Sequence, residues 1–415
     1  MLTNFLRLLL SRQIKPLYFD NNNTLRPDLS APRKGIYVHI PFCQTLCRFC
    51  PYNKVVYDPK LAAEFVEALI AEIKSTQPFV GNHNDITSIY FGGGSPALVA
   101  PDLKHIINAI RSIYELNGDI GVELHPRDVT AQNIEYLKAA GVTMVSVGIQ
   151  SFQKACLKAL GRKDNPGCDK LQTLQAARFR AIDVDLIFGI PGQSVDDLVA
   201  DFICAVSNGA TQVSTYPFID FSFANNDQKP LGATQKRQML NALIASAQKY
   251  GYERSSVWTF ARTGTPQYSS VTRDNFIGFG PSASSLLRDE FNINTFSVPE
   301  YIRAVKEGRS ATTLTMHFND RSRALFWLFW NAYNLNLSEK VYFELFGTPL
   351  KTMFAPELAL ARLLQLVVPT EYGYRLTKFG AYIFHLVEQA YTHNYIDKVW
   401  STARSEAWPM HVDLY

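Results

Sequence analysis

Six short runs rich in β-branched and aromatic residues, at 36–40, 88–92, 120–124, 143–149, 184–190 and 212–218, punctuate the first two-thirds of this 415-residue chain. Most are apolar throughout, the pattern of strands covered on both faces. Helical periodicity fills the gaps, as at 61–74, 103–114 and 196–207. Alternation of this kind builds a parallel sheet with right-handed crossovers. Six such units predict a curved open sheet or partial (β/α)6 barrel, with a doubly wound sheet as the competing arrangement.

Beyond about Arg262 the pattern changes. The stretch 264–281 is rich in Gly, Pro, Ser and Thr and reads as a long functional loop. From Asp320 onward the chain reads mostly helical, including 321–333 and 355–367, with a short hairpin or wing at 372–380. The predicted organisation is α/β: an N-terminal arm over 1–34, the barrel over 35–262, an active-site loop and connector over 263–319, and a smaller, mostly helical, winged-helix-like C-terminal domain over 320–415.

Hydrophobic residues make up 47% of the chain and the formal net charge is +4. That is enough apolar material for a sizeable core. Lys and Arg are spread along the chain, which points away from nucleic acid as a partner. The early apolar stretch, 5–10, is too short to span a bilayer and lacks a convincing cleavage site after it. It reads as a helix packed on the body of a cytoplasmic protein with no membrane span.

Three of the six cysteines lie within eight residues, in Tyr37-Val-His-Ile-Pro-Phe-Cys43-Gln-Thr-Leu-Cys47-Arg-Phe-Cys50. Thiolates are soft ligands for iron–sulfur clusters or zinc. A structural zinc site usually takes four ligands, and no fourth Cys or His follows at finger-like spacing. Three cysteines on one loop leave one iron of a [4Fe–4S] cluster open for chemistry; a distorted zinc site or chance spacing is the alternative. Cys156, Cys168 and Cys204 fall on helical segments and read as ordinary buried thiols.

Other polar residues gather after the predicted strands. Phe91-Gly-Gly-Gly94-Ser-Pro96 permits close backbone approach to a ligand. Glu123 and Gln150 end the third and fourth strands, and Asp185 interrupts an apolar one. Parallel α/β folds bind ligands at the C-terminal strand ends, so these residues and the cysteine loop define one candidate site.

In this order the motifs resemble the HemN-like radical S-adenosylmethionine (SAM) family. The resemblance rests on Tyr37-Val-His-Ile-Pro-Phe-Cys43, Phe91-Gly-Gly-Gly94-Ser-Pro96, Gly148-Ile-Gln-Ser-Phe152, Leu160-Gly-Arg162, Asp185-Leu-Ile-Phe-Gly-Ile-Pro-Gly-Gln193 and Gly278-Phe-Gly-Pro-Ser-Ala-Ser284. It implies a partial (β/α)6 radical SAM barrel in which Cys43, Cys47 and Cys50 ligate a [4Fe–4S] cluster. It also implies that Tyr37, Phe49, Gly93, Gly94, Glu123, Gln150, Arg162 and Asp185 surround SAM. A second SAM is expected near Ile219 and Ser284. An electron donor such as flavodoxin or ferredoxin is implied as a partner, together with a planar small-molecule substrate: a tetrapyrrole, a quinone or another aromatic.

The branches of the family differ at three places. The coproporphyrinogen III oxidases carry a fourth cysteine two residues after the third, where this chain has Tyr52, and a longer N-terminal arm. The heme chaperones carry a His-Asn-x-x-Tyr-Trp motif where this chain reads Tyr268-Ser-Ser-Val-Thr-Arg273. Elimination leaves class C-type methyl transfer to an sp2 carbon as the expectation, with oxygen-independent coproporphyrinogen III oxidation and HemW-like heme carriage as alternatives.

Tyr216 and Asp220 are further candidates for lining a substrate pocket, and Tyr268, Thr272 and Arg273 are expected on a loop at the same mouth. Phe218, Phe221 and Phe223 read mostly as core. The run from Phe326 to Trp330 reads as helix packing or as the wall of a hydrophobic site.

Overall fold

The computed structural model describes residues 10–12, 17–21, 28–81, 84–162, 167–224, 226, 228–268 and 274–414. The expected strands form as β1 (Lys34–Ile40), β2 (Asp85–Gly93), β3 (Glu115–Leu124), β4 (Met144–Gln150), β5 (Ala181–Phe188) and β6 (Gln212–Pro217). They lie side by side in chain order, and every neighbouring pair is parallel. A doubly wound sheet needs a reversal of strand order; none occurs among these six strands of the described residues, so they form a partial barrel.

Between and after these strands run α1 (Pro59–Ser75), α2 (Leu103–Arg111), α3 (Ala131–Ala139), α4 (Lys154–Ala159), α5 (Asp169–Ala176), α6 (Val195–Ser207) and α7 (Ala233–Lys249). Local chemistry sets several starts. Asp58 and Thr130 accept the free N–H groups of α1 and α3, and Ser194 with Asp197 forms a reciprocal box at α6.

The segment 263–319, expected as a loop and connector, is largely regular structure. It holds β7 (Asn275–Phe279), which pairs parallel with β1, then β8 (Ser284–Leu286), β9 (Glu290–Asn294), α8 (Val298–Lys306) and β10 (Thr312–His317). Its small residues serve packing: a Cβ on Gly278 would stand 2.2 Å from the Ser284 carbonyl oxygen. Composition that reads as loop is here the condition for a tight strand pair. The sheet continues past β10 to a strand at Leu17–Asp20, which pairs antiparallel with one at His411–Leu414. The expected helix at 5–10 lies almost wholly outside the described residues, as do Thr272 and Arg273.

The C-terminal part contains α9 (Asp320–Tyr333), a strand at Asn336–Ser338, α10 (Glu339–Phe346), α11 (Leu350–Leu363) and a hairpin of Val367–Thr370 with Gly373–Leu376. The strand and the hairpin pair as one three-stranded antiparallel sheet. The hairpin sits earlier than the expected 372–380 because Thr377 caps α12 (Lys378–Tyr391), its hydroxyl accepting from the Gly380 N–H at 2.8 Å. A π-helical turn, Thr392–Ile396, joins α12 to α13 (Asp397–Ser405).

Cys156 is a free, buried thiol. Cys168 and Cys204, also expected as thiols, are joined as a disulfide that ties the start of α5 to α6. Their separation of 36 residues gave no local signal of the pairing.

Candidate active site

Cys43, Cys47 and Cys50 are free and half-buried on the loop after β1, where they line one cavity of about 1280 Å³. The loop is closed by its own backbone: Val55 N–H donates to Pro41 O at 2.7 Å and Tyr57 N–H to Cys43 O at 2.9 Å. Lys54 Nζ donates to Cys50 O at 2.6 Å, and Arg404 reaches Pro51 O from α13. Phe49 packs against the apolar cluster formed by Cys156, Leu160, Ile187, Ile190 and Phe218. Burial, with smaller contributions from Cys50 and Cys47, pushes the Cys43 thiol up to about 12. The bare Cys43 thiolate is thus disfavoured, a cost that metal ligation offsets. Three free thiols on one loop, all lining one cavity, are the ligand set of a three-cysteine [4Fe–4S] site.

Below the loop, Tyr37 donates to His39 Nδ1 at 3.0 Å, which leaves His39 Nε2–H to donate to Asn53 O at 2.9 Å. Burial lowers the His39 pKa to about 4, so the ring is neutral. Gly93, at φ +108°, passes directly over this ring, and a Cβ there would stand 2.6 Å from it. A Cβ on Gly94 would stand 2.3 Å from Phe42 O. The glycines were expected to admit a ligand; they admit the cysteine loop itself, with Gly94 N–H donating to Ile40 O at 2.7 Å.

The carboxylates lie on the inward faces of the strands. Glu123 accepts from Tyr90 OH at 2.6 Å and from Gly93 N–H at 3.1 Å. Asp185 accepts from Ser146 Oγ at 2.9 Å. Asp183, two residues earlier on β5, accepts from Ser214 Oγ at 2.7 Å and Gln212 Nε2 at 3.0 Å. Burial raises all three above the ordinary carboxylate range, and Asp183 and Glu123 raise Asp185 further. A cationic ligand among them restores the ionised forms.

Gln150 ends β4 at φ +72°, a left-handed conformation held where the β4–β5 register shifts, and it too lines the cavity. Arg162 braces that strand end, donating to Gly148 O at 2.6 Å, and its Nη2 lies 2.8 Å from His125 Nε2.

Opposite the barrel the wall is aromatic. Phe326 stands 5.7 Å from Phe291 and 5.5 Å from Phe318, and Phe329 stands 4.8 Å from Tyr391, centroid to centroid. Phe326, Phe329 and Trp330 line the cavity, while Trp327 turns away to donate to Asp274 at 3.0 Å. The run at 326–330 thus does both expected jobs on two faces of α9. Trp400 adds a rim beside Tyr52 and Phe221.

All thirteen cluster and SAM candidates, Ile219 and Ser284 included, lie on this one cavity. Tyr216, Phe218 and Phe221 join them. Asp220 is held instead by Lys229 and Asn226. Tyr268 lines the cavity from the floor, contrary to its expected place at the mouth. Its ring packs on Gly121 and Tyr90, and Gln212 Oε1 accepts from its N–H at 3.0 Å. The preceding strand, Thr259–Arg262, runs antiparallel to β6, so its end delivers the chain to the N-terminal side of the barrel. Tyr90 and Asn53 were not singled out from sequence; Tyr90 shares strand parity with Gly92, a signal that marks it as inward-facing.

Residues 37–202 match the description of the Radical SAM superfamily. Fold and site together define a radical SAM enzyme, a class that works with a [4Fe–4S] cluster and SAM. Within that class the chain is similar to HemN-like proteins. It is 28% identical over 291 residues to the heme chaperone HemW of Bacillus subtilis, covering 66% of this chain and 76% of that one. It is 28% identical over 338 residues to the oxygen-independent coproporphyrinogen III oxidase of Pseudomonas aeruginosa, covering 74% and 73%. The fold is shared with coproporphyrinogen III oxidase (HemN) from Escherichia coli, a radical SAM enzyme: TM-score 0.75 and 21% identity, over 92% of this chain and 98% of that one. These relatives are named as oxidases and a chaperone, so methyl transfer gains no support from them. Among the described residues no helix is long and apolar enough to cross a membrane.

Proposed function

We propose that this radical SAM enzyme acts on a tetrapyrrole, abstracting a hydrogen atom from a macrocycle seated against the aromatic wall. The observation that carries the reading is the continuity of one cavity, about 1280 Å³, from the three free cysteines to Phe326, Phe329 and Trp330. Small-molecule sites ordinarily span roughly 300–1,000 Å³, so this one has room for a nucleoside cofactor and a large planar partner. Coproporphyrinogen III and heme, in the names of the relatives above, are both tetrapyrroles.

Cys43, Cys47 and Cys50 would hold the cluster, which supplies the electron that cleaves SAM to a 5′-deoxyadenosyl radical. The chain's own work is positioning. Glu123, fixed by Tyr90 and Gly93, and Asp185, fixed by Ser146, present oxygens to a cationic ligand at the strand ends. The aromatic wall excludes water from a reactive carbon radical and offers flat apolar surface to a ring. Oxidation of coproporphyrinogen III is the form of this chemistry that the matched oxidases support.

The test is anaerobic turnover of reconstituted protein with SAM, dithionite and coproporphyrinogen III. The expected result is 5′-deoxyadenosine formed in step with tetrapyrrole consumption, with loss of two carboxylates per macrocycle. S-adenosylhomocysteine and a methyl mass gain would replace oxidation by methyl transfer. Deoxyadenosine formed at one rate with and without coproporphyrinogen III or heme, neither being altered, sinks the tetrapyrrole reading.

A further inference from the structure

The aromatic wall of the cavity runs out into a polar edge. Phe326, Phe329 and Trp330 lie on one face of α9, and the next turn of that face brings Tyr333 and Asn334 to the cavity. Leu335, at φ +63°, ends the helix in the left-handed region, and the chain enters the strand Asn336–Ser338. That strand pairs with Gly373–Leu376, which sets Asn336 directly opposite Arg375. Parity then divides the sheet. Leu337 and Tyr374 belong to the apolar core of the C-terminal part, while Asn336, Ser338 and Arg375 share the other face and line the cavity.

Arg375 is set apart by what the other cations on this cavity do. Lys54 donates to Cys50 O, Arg162 to Gly148 O and Arg254 to Val257 O. Arg262 donates to Tyr252 OH, and Arg127 offsets part of the burial cost of Asp128. Arg375 lines the same cavity, yet among the described residues its guanidinium makes no ion pair and no hydrogen bond. Its backbone is well fixed, because Gly373–Leu376 is the middle strand of its sheet. Asn336 donates one amide N–H to Asn334 O at 3.2 Å and keeps the other for a ligand. A planar guanidinium matches a carboxylate with two parallel hydrogen bonds.

We propose that Arg375, with Asn336 opposite it, is a carboxylate subsite that holds an acidic side chain of the substrate while its ring lies on Phe326, Phe329 and Trp330. The inference rests on the tetrapyrrole reading above and adds the feature by which the macrocycle is oriented. The rise along α9 from Phe326 to Asn334 is about 12 Å, the scale of a macrocycle rather than of a single aromatic ring. Coproporphyrinogen III and heme both carry propionate arms at the ring edge. A propionate on Arg375 fixes which edge of the ring turns towards the cysteine loop, and it stays on the product.

The experiment titrates reconstituted holoenzyme, anaerobically and with SAM present, with coproporphyrin III and with its neutral tetraamide. Porphyrin fluorescence reports binding and requires no turnover. The parent is compared with Arg375→Ala and Arg375→Lys. The parent is expected to bind the acid more tightly than the amide. Arg375→Ala should weaken binding of the acid roughly tenfold or more and leave the amide at its parental affinity. Arg375→Lys, charged but without the planar fork, should fall between the two. Parental affinity for the acid in Arg375→Ala overturns the proposal. An equal loss for acid and amide overturns it too, by marking Arg375 as structural. If the parent binds neither porphyrin, the tetrapyrrole reading itself falls; if parent and Arg375→Ala bind both porphyrins alike, that reading stands and the subsite alone falls.

Discussion

The two walls of the cavity are built by different rules. On the barrel side each polar group is fixed by hydrogen bonds to a neighbouring strand, as Glu123 is by Tyr90 and Gly93. On the opposite side, β7, β9, α9 and the π-helical turn contribute rings that touch other rings. A wall held by directional bonds fixes the position of reacting atoms. A wall of packed aromatics selects by shape and by exclusion of water. Changes on the barrel side should therefore strike SAM cleavage itself, and changes on the aromatic side should strike what the radical acts on.

The sharpest break is Cys47→Ala, expected to abolish both bound iron and SAM cleavage; iron analysis and product chromatography check it, and normal cleavage would collapse the division between the walls. Next is Gly94→Ala, which forces a Cβ to 2.3 Å from Phe42 O. Overpacking of this kind costs about 1–3 kcal/mol, so a lower melting temperature with reduced cluster occupancy is expected. Glu123→Gln replaces a charged acceptor of two hydrogen bonds, and bonds to charged groups contribute about 1.5–3 kcal/mol. Its expected signature is a SAM KM raised by roughly tenfold or more at unchanged iron content.

On the other wall, Phe326→Ala should leave SAM cleavage without substrate at the parental rate and raise the KM for a tetrapyrrole. Losing a buried phenyl contact of about 1.5–3 kcal/mol corresponds to roughly ten- to a hundredfold. Equal losses in both assays would erase the distinction. The smallest expected effect is on stability. Burial holds His39 and His385 neutral, each lowered to about 4. In the unfolded chain each takes up a proton as pH falls through about 6.5, while the folded chain does not until about 4. These two rings therefore lower stability as pH falls from about 6.5 to about 4, while the buried Glu72 and Asp183 carboxyls, raised by burial to about 7 and about 6, act in the opposite sense. The histidine part is read as a difference: His385→Gln should lose less melting temperature than the parent as pH is lowered across that range.

Legibility followed the same division. On β5, Asp185 stood out because an acid inside an apolar run has to face something polar, and parity along the strand then places Asp183 and Ile187 on the same side. The cysteine loop and glycines were legible because their spacing is local. The aromatic wall was only half legible: the run at 326–330 showed rings, and which of them turned inward depended on α9 packing against two partners at once. Tyr268 and the segment 275–317 were misjudged because small residues that permit tight strand pairing have the same composition as a loop. The Cys168–Cys204 bond left no trace in either residue's neighbours in sequence.

What the sequence determined by itself is whatever repeats over a few residues: strand and helix periods, caps, the three-cysteine spacing and the polar residue at each strand end. Those are set by backbone geometry within one element or one turn. The order of strands, the closing of the barrel floor by Tyr268, the pairing of Leu17–Asp20 with His411–Leu414, and the meeting of α9 with the end of α12 were decided only in the tertiary structure. Each joins segments far apart in the chain, and such a contact depends on the packing of everything between them.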